Sequence, residues 1–411
     1  MLTYALEKNG SSSLYTQLYG CIRRDILSGA LPPRQKLPSK RALAQHLEVS
    51  VITVKNAYEQ LAAEGYIYTV EKKGYYVSPV ERPLPPADPP PLTPEKPAEP
   101  VFLDLATGSL DRSYFPFTVW SRLMRQTILE EDTVRKLLPQ RPRDGHKGTF
   151  GKVLLLAGSK PYPGAPIMAS HTATHSGAGL VFLGIPETIY PITALKCVEE
   201  MPVALPDEQG ALGEASVPVI LEKLTEMQAA LIGPGLGKLP QTQEVVKQVL
   251  KRCACPVVLD ADGINAIAGH MDVLDSRSAP TVLTPHDGEF HTLTGQWPGK
   301  DRLSTALDFA KAHHCVLVLK GHRTIVAGPD GRAYLNTTGN DGLAKGGSGD
   351  VLAGLITSFL AQGMDALEAA AAAVWIHGKA GDQMAEQYGR RGMTASNVML
   401  EGIPAVLKEL E

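Results

Sequence analysis

Short apolar runs alternate with amphipathic stretches from about residue 134 to the end of the chain. The apolar runs are continuous and rich in Val, Leu and Ile, as expected of strands buried on both faces: KVLLLAG, LVFLGI, AALIGPG, PVVLDAD and VLVLKG. Helical spacing is found in QTQEVVKQVLKRC, LSTALDFAKAHH and ALEAAAAAVWIHGKAGDQMAEQ. This alternation predicts an α/β fold with a doubly wound sheet over residues 134–411.

Ligands of a doubly wound sheet bind beyond the carboxyl ends of its strands. Three segments in this sequence follow predicted strands directly and contain glycines or polar side chains: 233–237, 260–265 and 320–324. The sequence therefore predicts that these segments meet at one edge of the sheet and contribute to the binding site.

Residues 1–80 have a different pattern, three helical stretches followed by a hairpin. These are LYTQLYGCIRRDIL, SKRALAQHL, VITVKNAYEQLAAEG and YIYTVEKKGYYV. Ser39 and Ser50 precede the second and third helices as N-caps, and the short turn EVS joins the two helices. This is the arrangement of a helix-turn-helix with a wing.

The third helix of this head has one apolar face, made by Val54, Ala57, Tyr58 and Leu61. Its other side chains project away from the head's core and could reach a DNA groove: Thr53, Lys55 and Asn56. The hairpin turn places Lys72 and Lys73 at a tip, where a wing contacts phosphates or a minor groove. From periodicity alone, a three-helix packing module is the simpler interpretation.

A proline-rich segment separates the head from the body. In ERPLPPADPPPLTPEKPAEP, residues 81–100, nine of twenty residues are proline, which predicts an extended and semi-rigid spacer. The predicted organisation is a head at 1–80, a linker region at 81–133 and a body at 134–411.

Charge and composition add two constraints. Residues 1–80 contain ten basic and six acidic residues, whereas the whole chain of 411 residues has a formal charge of −3, so a basic head precedes an acidic body. The five cysteines show no CxxC spacing, and no signal-like or membrane-spanning apolar segment is present. We therefore expect a cytoplasmic protein with free thiols and no membrane partner.

The stretch NTTGNDGLAKGGSGDVLAGL, residues 336–355, is the strongest chemical signal in the body. The sequence has no Walker A motif, and GPGLGK misses the dinucleotide-binding glycine spacing. Gly346, Gly347 and Gly349 would let successive amides form an anion-binding nest at a helix start. Asp350 could then accept a proton from a hydroxyl that attacks a phosphoryl group. From this stretch alone, a glycine loop capped by an aspartate is the simpler interpretation.

The head resembles the winged-helix domain of the GntR family of bacterial regulators, over about residues 11–79, in LPSKRALAQHLEVSVITVKNAYEQLAAEGYIYTVEKKGYYV. With the hairpin tip, the resemblance implies these DNA contacts: Lys40, Arg41, Thr53, Lys55, Asn56, Lys72 and Lys73. Val51 stands where the family commonly has Arg. Within residues 101–133, the segment FLDLATGSLDRSYFPFTVWSRLMRQTI resembles the start of the aminotransferase-like domain of the MocR branch. The remainder of such a domain is not found in the sequence, and pyridoxal phosphate is not implied.

The body resembles the ADP- or ATP-dependent NAD(P)H-hydrate dehydratases, repair enzymes with a ribokinase-like fold. Seven motifs carry the resemblance in this order: HKGTFGKVLLLAGS, SGAGLVFLGIP, IGPGLG, LDADGINAI, LTPHDGEF, VLKGHRT and NTTGNDGLAKGGSGDVLAGL. The resemblance implies that the protein dehydrates the S epimer of hydrated NADH or NADPH, and that ADP or ATP with Mg²⁺ supplies a phosphoryl group that turns the hydroxyl into a leaving group.

The same resemblance implies roles for individual residues. Asp350 would be the catalytic base and would also contact substrate. The implied nucleotide-binding residues are Lys320, Gly321, Thr324, Gly346, Gly347, Ser348 and Gly349. The implied substrate contacts are Gly235, His286 and position 166, where Pro166 replaces the usual Ala. Near the C-terminus, Asn397 replaces the usual Asp. For Asp260 and Asp262, a water-mediated Mg²⁺ role and simple loop capping both remain open, and no direct protein metal site is predicted.

Two further expectations concern partners. An epimerase domain, a frequent companion in the family, is not found in the sequence and is expected as a separate protein; self-association is also expected. Two other functions remain open: a GntR-like regulator whose body senses a nucleotide, and a ribokinase-fold kinase for a small molecule. A pure sensor has no need of Asp350 as a base, and the HKGTFGK and TPHDGEF segments favour the dehydratase over the kinase.

Overall fold

Residues 3–4, 13–63, 66–70, 74–78 and 128–411 are described by the computed structural model. The chain divides into two units, Met1–Gly108 and Ser109–Glu411, which are described separately below. Within the described ranges, no helix is both long enough and apolar enough to cross a bilayer. The predicted linker at 81–100, most of the segment 101–133, and the hairpin tip with Lys72 and Lys73 lie outside the described residues.

The head contains three helices and a two-stranded antiparallel hairpin, as the sequence predicts. They are α1 (Leu14–Ser28), α2 (Lys40–Leu47), α3 (Val51–Ala63), β1 (Ile67–Val70) and β2 (Gly74–Val77).

The predicted caps and core of the head are confirmed. The hydroxyl of Ser39 accepts from the Ala42 amide at 3.2 Å, and that of Ser50 accepts from the Thr53 amide at 3.0 Å. The predicted apolar face of α3 is fully buried, and the hydroxyl of Tyr58 donates to the Pro38 carbonyl at 3.0 Å. These contacts fix α3 against α1 and α2 and leave its opposite face exposed.

The described residues of the body form a nine-stranded sheet and a small separate hairpin. The sheet strands are β3 (Lys152–Leu156), β4 (Leu180–Pro186), β5 (Met201–Leu205), β8 (Ala229–Ile232), β9 (Val257–Leu259), β10 (Thr281–Leu283), β11 (Val316–Leu319), β12 (Ile325–Ala327) and β13 (Ala333–Leu335). The hairpin strands are β6 (Asp207–Glu208) and β7 (Ala211–Leu212).

The strand order is β5-β4-β3-β8-β9-β10-β11-β12-β13. Strands from β5 to β11 pair in parallel, whereas β12 and β13 are antiparallel additions at one edge. The chain moves outward from β3 to β5 and then returns to the other side of β3 at β8. That reversal is the topological switch point beside which ligands of such sheets bind, and it confirms the predicted doubly wound fold.

Helices cover both faces of the sheet. They are α4 (Glu131–Leu137), α5 (Ala165–His175), α6 (Tyr190–Ala194), α7 (Val217–Leu224), α8 (Pro240–Arg252), α9 (Asp262–Ala266), α10 (Asp272–Asp275), α11 (Asp287–Thr294), α12 (Arg302–Ala312), α13 (Ser348–Ala361), α14 (Ala366–Gly392), α15 (Ala395–Asn397) and α16 (Ile403–Leu410). Short 3-10 turns span Glu187–Ile189, Glu214–Ser216 and Asp341–Leu343, and a π turn spans Val398–Gly402.

Two apolar cores lie on opposite faces of this sheet. On β3, Val153 and Leu155 belong to one core, whereas Leu154 and Leu156 belong to the other. Successive strand residues point to opposite faces, so a strand buried on both sides must be continuously apolar. This explains the unbroken apolar runs that identify the strands in the sequence.

The described end of the predicted linker region is part of the body. Leu129 and Val134 are buried in one of the two cores, and Arg135 donates from Nη1 to the Leu410 carbonyl at 2.7 Å. Ile128 also forms a parallel bridge with Leu335 on β13. Residues 128–133 therefore have a packing role that the sequence does not reveal, and the boundary at 134 stays a prediction.

Candidate functional site

The glycine-rich loop ends at the amino terminus of α13. Gly347 is the N-cap residue and has a φ of 92°, in the left-handed region that glycine adopts without strain. Because glycine has no side chain, no side-chain cap satisfies the amides of the first turn. The buried hydroxyl of Ser348 has no hydrogen-bond partner among the described residues. Open amides, an unpaired hydroxyl and the positive end of a helix form a site that fits a phosphate group.

Side-chain contacts hold the segment before this loop in place. The carboxylate of Asp382 accepts from the Gly339 amide and from Asn340 Nδ2, both at 2.9 Å. Lys345 Nζ donates to the Arg391 carbonyl at 2.8 Å. Lys345 therefore bonds the backbone at the carboxyl end of α14, and the segment before the glycines is anchored at two points.

The position of α13 depends on a close helix contact. A Cβ atom at Gly354 would overlap the backbone of Ala169 on α5, so only glycine allows the two helices to approach this closely. Almost every residue of α13 is buried, which makes it a central helix rather than a surface one. Its amino terminus is thereby held rigidly against the sheet.

Asp350 lies in the first turn of α13 and carries an unusually basic carboxylate. Burial, followed by the nearby charge of Asp260, raises the pKa of Asp350 to about 7, whereas the ammonium group of Lys320 opposes the rise. Within the described part of the chain, its carboxylate makes no hydrogen bond to another residue. A carboxylate with a pKa near neutrality and free oxygens is suited to accept a proton from a bound hydroxyl.

Lys320, which follows β11, is the central cation of the site. Its Nζ lies 3.0 Å from Asp260 Oδ1 and 3.6 Å from Glu289 Oε2. Burial alone would lower the pKa of Lys320, but the two carboxylates outweigh that effect and raise it, so the ammonium form is retained. Asp260 is almost fully buried, and its Oδ1 also accepts from the Thr284 hydroxyl at 2.6 Å.

Gly349 places the helix start beside these charges. A Cβ atom at this position would lie 3.6 Å from Lys320 Nζ and 3.7 Å from Asp260 Oδ2, whereas a Cβ at Gly346 would meet nothing within 4 Å. The structure therefore brings together Asp260, Lys320, Gly349 and, in the same turn, Asp350. These residues are far apart in the sequence and meet because the carboxyl ends of the parallel strands lie at one edge of the doubly wound sheet.

The loop after β9 is strained and tightly bonded. Ala261 has φ 48° and ψ −115°, a combination that costs energy for a residue with a side chain. On its carboxyl side, Asp262 Oδ2 accepts from the Gly237 amide at 2.9 Å, and Oδ1 accepts from Asn265 at 3.3 Å. Asp262 thus joins two of the predicted segments, and its oxygens are already used as acceptors.

These contacts bear on a divalent ion. The described residues contain no group of three or more acidic, histidine or cysteine side chains able to hold a metal. Asp260 Oδ2 faces Gly349 across a gap, so one carboxylate oxygen is available to a water shell. This fits Mg²⁺ that arrives with nucleotide phosphates and keeps several waters.

Hydrogen bonds between Thr324 and Gly321, and from Arg302, hold the loop after β11 in place. The Thr324 hydroxyl donates to the Gly321 carbonyl at 3.2 Å and lies 3.4 Å from the Gly321 amide. Arg302 Nη2 donates to the Lys320 carbonyl at 3.1 Å, and its Nη1 pairs with Asp287 at 2.6 Å. Gly321 is exposed and adjoins Lys320, so its backbone is accessible to a ligand beside the ammonium group.

His286 caps a helix, and its ring is also exposed to a ligand. Its Nδ1 accepts from the amides of Gly288 and Glu289 at 3.0 and 3.2 Å, and Glu289 Oε2 accepts from the His286 amide at 2.9 Å, forming a capping box. Because Nδ1 is an acceptor, the neutral ring carries its proton on Nε2. That nitrogen lies 3.6 Å from Glu289 Oε1, and because the side chain is 59% exposed, a ligand can still reach its N–H group.

Gly235 packs against the start of α5, the helix whose first turn contains Pro166. Gly235 has a φ of 64°, and a Cβ there would lie 2.8 Å from Tyr162 Cβ and 2.9 Å from Ala165 Cβ. Its carbonyl accepts from the Ser159 hydroxyl at 2.7 Å. Pro166 is buried in the first turn of α5, where an amide has no helical partner, so the helix loses no hydrogen bond. Only a ligand bond from that amide is unavailable.

Asn397, the second departure from the family pattern, has a local explanation. Its Oδ1 accepts from the Thr394 hydroxyl at 2.6 Å, and its Nδ2 donates to Glu401 Oε1 at 2.8 Å. A carboxylate could accept from Thr394 but would repel Glu401. The amide at this position is therefore matched to the acidic residue that follows it.

Several residues of the site carry no signal strong enough to be selected from the sequence. Thr284 donates to Asp260, and Glu289 lies beside Lys320 and completes the capping box of His286. The spacing of His286 and Glu289 matches a capping box, but histidine is an unusual cap residue. His377 on α14 is also part of this environment. Burial and the charge of Lys320 lower its pKa to about 4, and its Nε2 has no partner among the described residues.

In the head, the candidate DNA contacts lie on α2 and α3. Arg41 and Asn56 are exposed, and Lys55 is paired loosely with Glu59 at 3.7 Å on the same exposed face. Lys40 Nζ lies 5.5 Å from the centre of the Tyr75 ring. The Thr53 hydroxyl is 2.9 Å from Ser50 Oγ and is thus partly used in the cap of α3.

The fold and this site define a class. A doubly wound sheet with a glycine-rich loop, a helix amino terminus open to phosphate and an aspartate beside it is the construction of a ribokinase-like nucleotide-dependent enzyme. The chain belongs to the NAD(P)H-hydrate dehydratase family, whose model matches residues 153–403. The model for bacterial regulatory proteins of the gntR family matches residues 14–77. The resemblances of the head and of the body are confirmed, whereas the MocR resemblance of residues 101–133 stays a prediction.

Individual relatives support the same assignment. The chain is 37% identical over 285 residues to an ADP-dependent (S)-NAD(P)H-hydrate dehydratase from Bacillus subtilis, covering 68% of this chain and 98% of that protein. A crystal structure of an ADP/ATP-dependent NAD(P)H-hydrate dehydratase from the same organism, co-crystallized with ATP/Mg²⁺, has a TM-score of 0.60 and 35% identity, covering 69% of this chain and 98% of that one.

A longer relative is the bifunctional NAD(P)H-hydrate repair enzyme Nnr of Moorella thermoacetica, 43% identical over 281 residues. The match covers 67% of this chain but only 53% of that enzyme. The chain therefore spans about half the length of the bifunctional relatives that it matches.

Proposed function

We propose that the body dehydrates the S epimer of hydrated NADH or NADPH, at the expense of ADP or ATP, and restores the reduced dinucleotide. The observation that carries this proposal is the position of Asp350, a free carboxylate whose pKa is raised to about 7, at the open amino terminus of α13. Membership in the dehydratase family supports the choice of substrate.

The first step is binding of the nucleotide phosphates. The amides from Gly347 to Gly349 and the unpaired hydroxyl of Ser348 would hold the transferring phosphoryl group. Lys320 would neutralise charge on it, and Gly321 and Thr324 would contact the nucleotide beside that lysine. Mg²⁺ would neutralise phosphate charge and reach Asp260 through water.

The second step is proton removal. The hydrate hydroxyl attacks the terminal phosphorus, its proton passes to the carboxylate of Asp350, and the P–O bond to the nucleotide breaks. Negative charge on the transferring oxygens develops at the helix amino terminus, where fixed dipoles stabilise it.

The third step is elimination. Hydroxide is a poor leaving group near neutrality, but the phosphate ester leaves readily when the ring nitrogen supplies its electron pair. Loss of a proton from the adjacent carbon then restores the dihydronicotinamide. His286, through its exposed Nε2–H group, and the backbone at Gly235 would hold the hydrated dinucleotide during these steps.

The test is the return of reduced-nicotinamide absorbance when the full-length protein meets hydrated NADH, with ADP, with ATP, or without nucleotide. Recovery that needs a nucleotide supports the proposal and shows which nucleotide serves. Absence of recovery with either nucleotide, from a folded protein that binds them, would leave a kinase or a sensor.

We further propose that the head binds DNA through α2 and α3. The gntR family match and the exposure of Arg41 and Asn56 support this proposal. Selection of full-length protein against a random DNA pool tests it: enrichment of a defined sequence supports a regulator, and uniform recovery of the pool rejects sequence-specific binding.

We also propose that the protein self-associates and that a separate protein interconverts the two hydrate epimers. Ile192, Leu195 and Val198 support self-association, because these apolar side chains are 58%, 85% and 85% exposed beside the edge strand β5. Light scattering during size-exclusion chromatography gives the oligomeric state. Supplying only the R hydrate tests the need for an epimerase, because it should persist until an epimerase is added.

A further inference from the structure

Two cysteines meet at the amino end of β9, away from the candidate active site. Cys253 follows the last residue of α8, and Cys255 precedes β9. Their Sγ atoms are 3.4 Å apart, within hydrogen-bonding distance for sulfur. Cys253 is buried, whereas Cys255 is half-buried and therefore reachable from solvent.

The local backbone explains why the two thiols meet. Cys253 has φ −75° and ψ 121°, an extended conformation. In extended chain, residues two apart point to the same face, so the side chains of a C-x-C segment lie side by side. The intervening Ala254 points away and is exposed.

Arg277 fixes this arrangement and places a positive charge beside it. Its Nη1 donates to the carbonyls of Leu250 and Cys253 at 2.6 and 3.0 Å, and its Nη2 donates to the Cys255 carbonyl at 2.9 Å. The hydrogen bond from Cys255 and the nearby guanidinium lower the pKa of Cys253, while the same bond raises the pKa of Cys255. The first proton is therefore lost from Cys253, and the Cys255 thiol lies beside the resulting thiolate.

Two other cysteines of the body provide a contrast. Burial raises the pKa of Cys315 to about 12 and that of Cys197 to about 11. Neither has another thiol within bonding distance among the described residues. Without a neighbouring thiolate to accept the proton, both are expected to be poor nucleophiles, and they are useful internal controls.

We propose that Cys253 and Cys255 are a thiol modification site that forms a reversible intramolecular disulfide by exchange with a low-molecular-weight disulfide. Cys255, the more accessible thiol, passes its proton to the Cys253 thiolate as it attacks the external disulfide, and one small thiolate leaves. Cys253 then releases that proton to solvent and attacks the mixed disulfide, expelling the second small thiolate. Two protein thiols are oxidised and one small disulfide is reduced to two thiols.

The test uses the full-length protein equilibrated with defined ratios of glutathione disulfide to glutathione. Remaining thiols are alkylated after unfolding and the protein is digested with trypsin. Mass spectrometry then gives the mass of the peptide 253–277, which contains both cysteines and ends at Arg277. The proposal predicts conversion from two alkyl groups to none, with the loss of two hydrogens, while Cys197 and Cys315 remain alkylated. Reduction by added dithiothreitol should restore both alkyl groups.

Two variants distinguish the roles of the sulfurs. Cys253→Ser should accumulate a stable mixed disulfide at Cys255, and Cys255→Ser should react at least about 10-fold more slowly, because only the buried sulfur remains. Cys197→Ser is the matched control and should behave as the wild type, and thermal melts check that each variant is folded. Two alkyl groups retained at every glutathione ratio, or equal reactivity of both single variants, would overturn the proposal. None of these readouts depends on the repair activity.

Discussion

The carboxylate of Asp350 lies close to two groups that act on its charge in opposite directions. Burial and Asp260 raise its pKa, and Lys320 lowers it, with a result of about 7. A base must be deprotonated to accept a proton, so kcat/KM should rise as pH increases through about 7. The value of kcat/KM, measured between mildly acidic and mildly alkaline pH, reports the pKa of the free protein.

Two neighbours should move that midpoint in opposite directions. Asp260→Asn removes a negative charge and should shift the midpoint to lower pH, whereas Lys320→Met removes a positive charge and should shift it to higher pH. The midpoint is the readout, because either variant also lowers the maximal rate. A midpoint that is unchanged in both variants would assign the titration to another group.

A substitution at His286 can separate its role in capping a helix from its role in binding the substrate. Asn is also a good N-cap acceptor, so His286→Asn should keep the cap of α11 while losing the exposed Nε2–H group. We expect a KM for the hydrated dinucleotide raised by about 10-fold, the effect of one lost hydrogen bond, with little change in Tm.

His146 provides the matched control for this variant. Its Nδ1 accepts from the amides of Gly148 and Thr149 at 3.1 and 3.2 Å, in a turn of the same kind outside the candidate site. His146→Asn should leave both KM and Tm near the wild-type values. If His286→Asn lowers Tm but not substrate affinity, its role is only structural.

The sequence identifies the candidate residues at strand ends but not the side chains that hydrogen-bond or pair with them. Lys320, Asp350 and His286 stand in recognisable motifs, whereas Thr284 and Glu289 are ordinary residues whose importance depends on which side chains the fold places opposite them. The strained backbone at Ala261 is equally invisible, because alanine gives no indication of a positive φ.

At the scale of elements, the start of α13 can be tested by adding one methyl group. Alanine stabilises a helix by about 1 kcal/mol relative to glycine, so Gly349→Ala should fold as well as the wild type or better. Its Cβ would occupy the gap beside Lys320 and Asp260, at 3.6 and 3.7 Å, and should abolish nucleotide binding. Thermal melts and calorimetric titration with ADP measure the two effects.

Two other glycines of the loop serve as controls. Gly347→Ala should destabilise the fold by about 1–2 kcal/mol because its φ of 92° disfavours a side chain. Gly346→Ala has open space around its Cβ and should change stability least. If Gly349→Ala binds ADP normally, the phosphate does not lie where the account places it.

The elements predicted from the sequence are those that belong to long apolar or amphipathic runs. The helices α8, α12 and α14 and the strands β3, β4, β8, β9 and β11 are all predicted by their apolar patterns. The strands β10, β12 and β13 have three residues each and stand in no longer apolar run, unlike the equally short β9, which belongs to the run PVVLDAD. The antiparallel edge of the sheet therefore emerges only from the structure.

At the scale of the whole molecule, the head and the body should be separable in function. Arg41→Ala should weaken binding to all DNA sequences and reduce the salt dependence by about one ion, as expected of a phosphate contact. Asn56→Ala should instead reduce discrimination between the selected sequence and random DNA, by about 1–3 kcal/mol.

Fluorescence anisotropy at two salt concentrations measures these effects in the full-length protein. Glu59→Gln is a useful control because Glu59 pairs with Lys55, and removing its charge should strengthen non-specific binding slightly. None of these variants should change the rate of repair. An identical loss of affinity for selected and random DNA in Asn56→Ala would contradict base contact by that residue.

The division of the chain is evident from the sequence because proline spacing, charge and periodicity all change near residue 80. Other large-scale features are not. Residues 128–133 belong to the body because Leu129 is buried in its core and the helix that begins at Glu131, α4, packs against α14 and α16. Sequence periodicity contains no information about such docking.

The central claim is that Asp350 removes the hydroxyl proton during a nucleotide-dependent repair. The most direct measurement compares the wild type with Asp350→Asn, following recovered reduced nicotinamide and released inorganic phosphate in the same sample. We expect one phosphate per dinucleotide restored, and a rate about 10²–10⁴-fold lower in the variant while ADP still binds. Recovery without phosphate release, or a variant as active as the wild type, would contradict it.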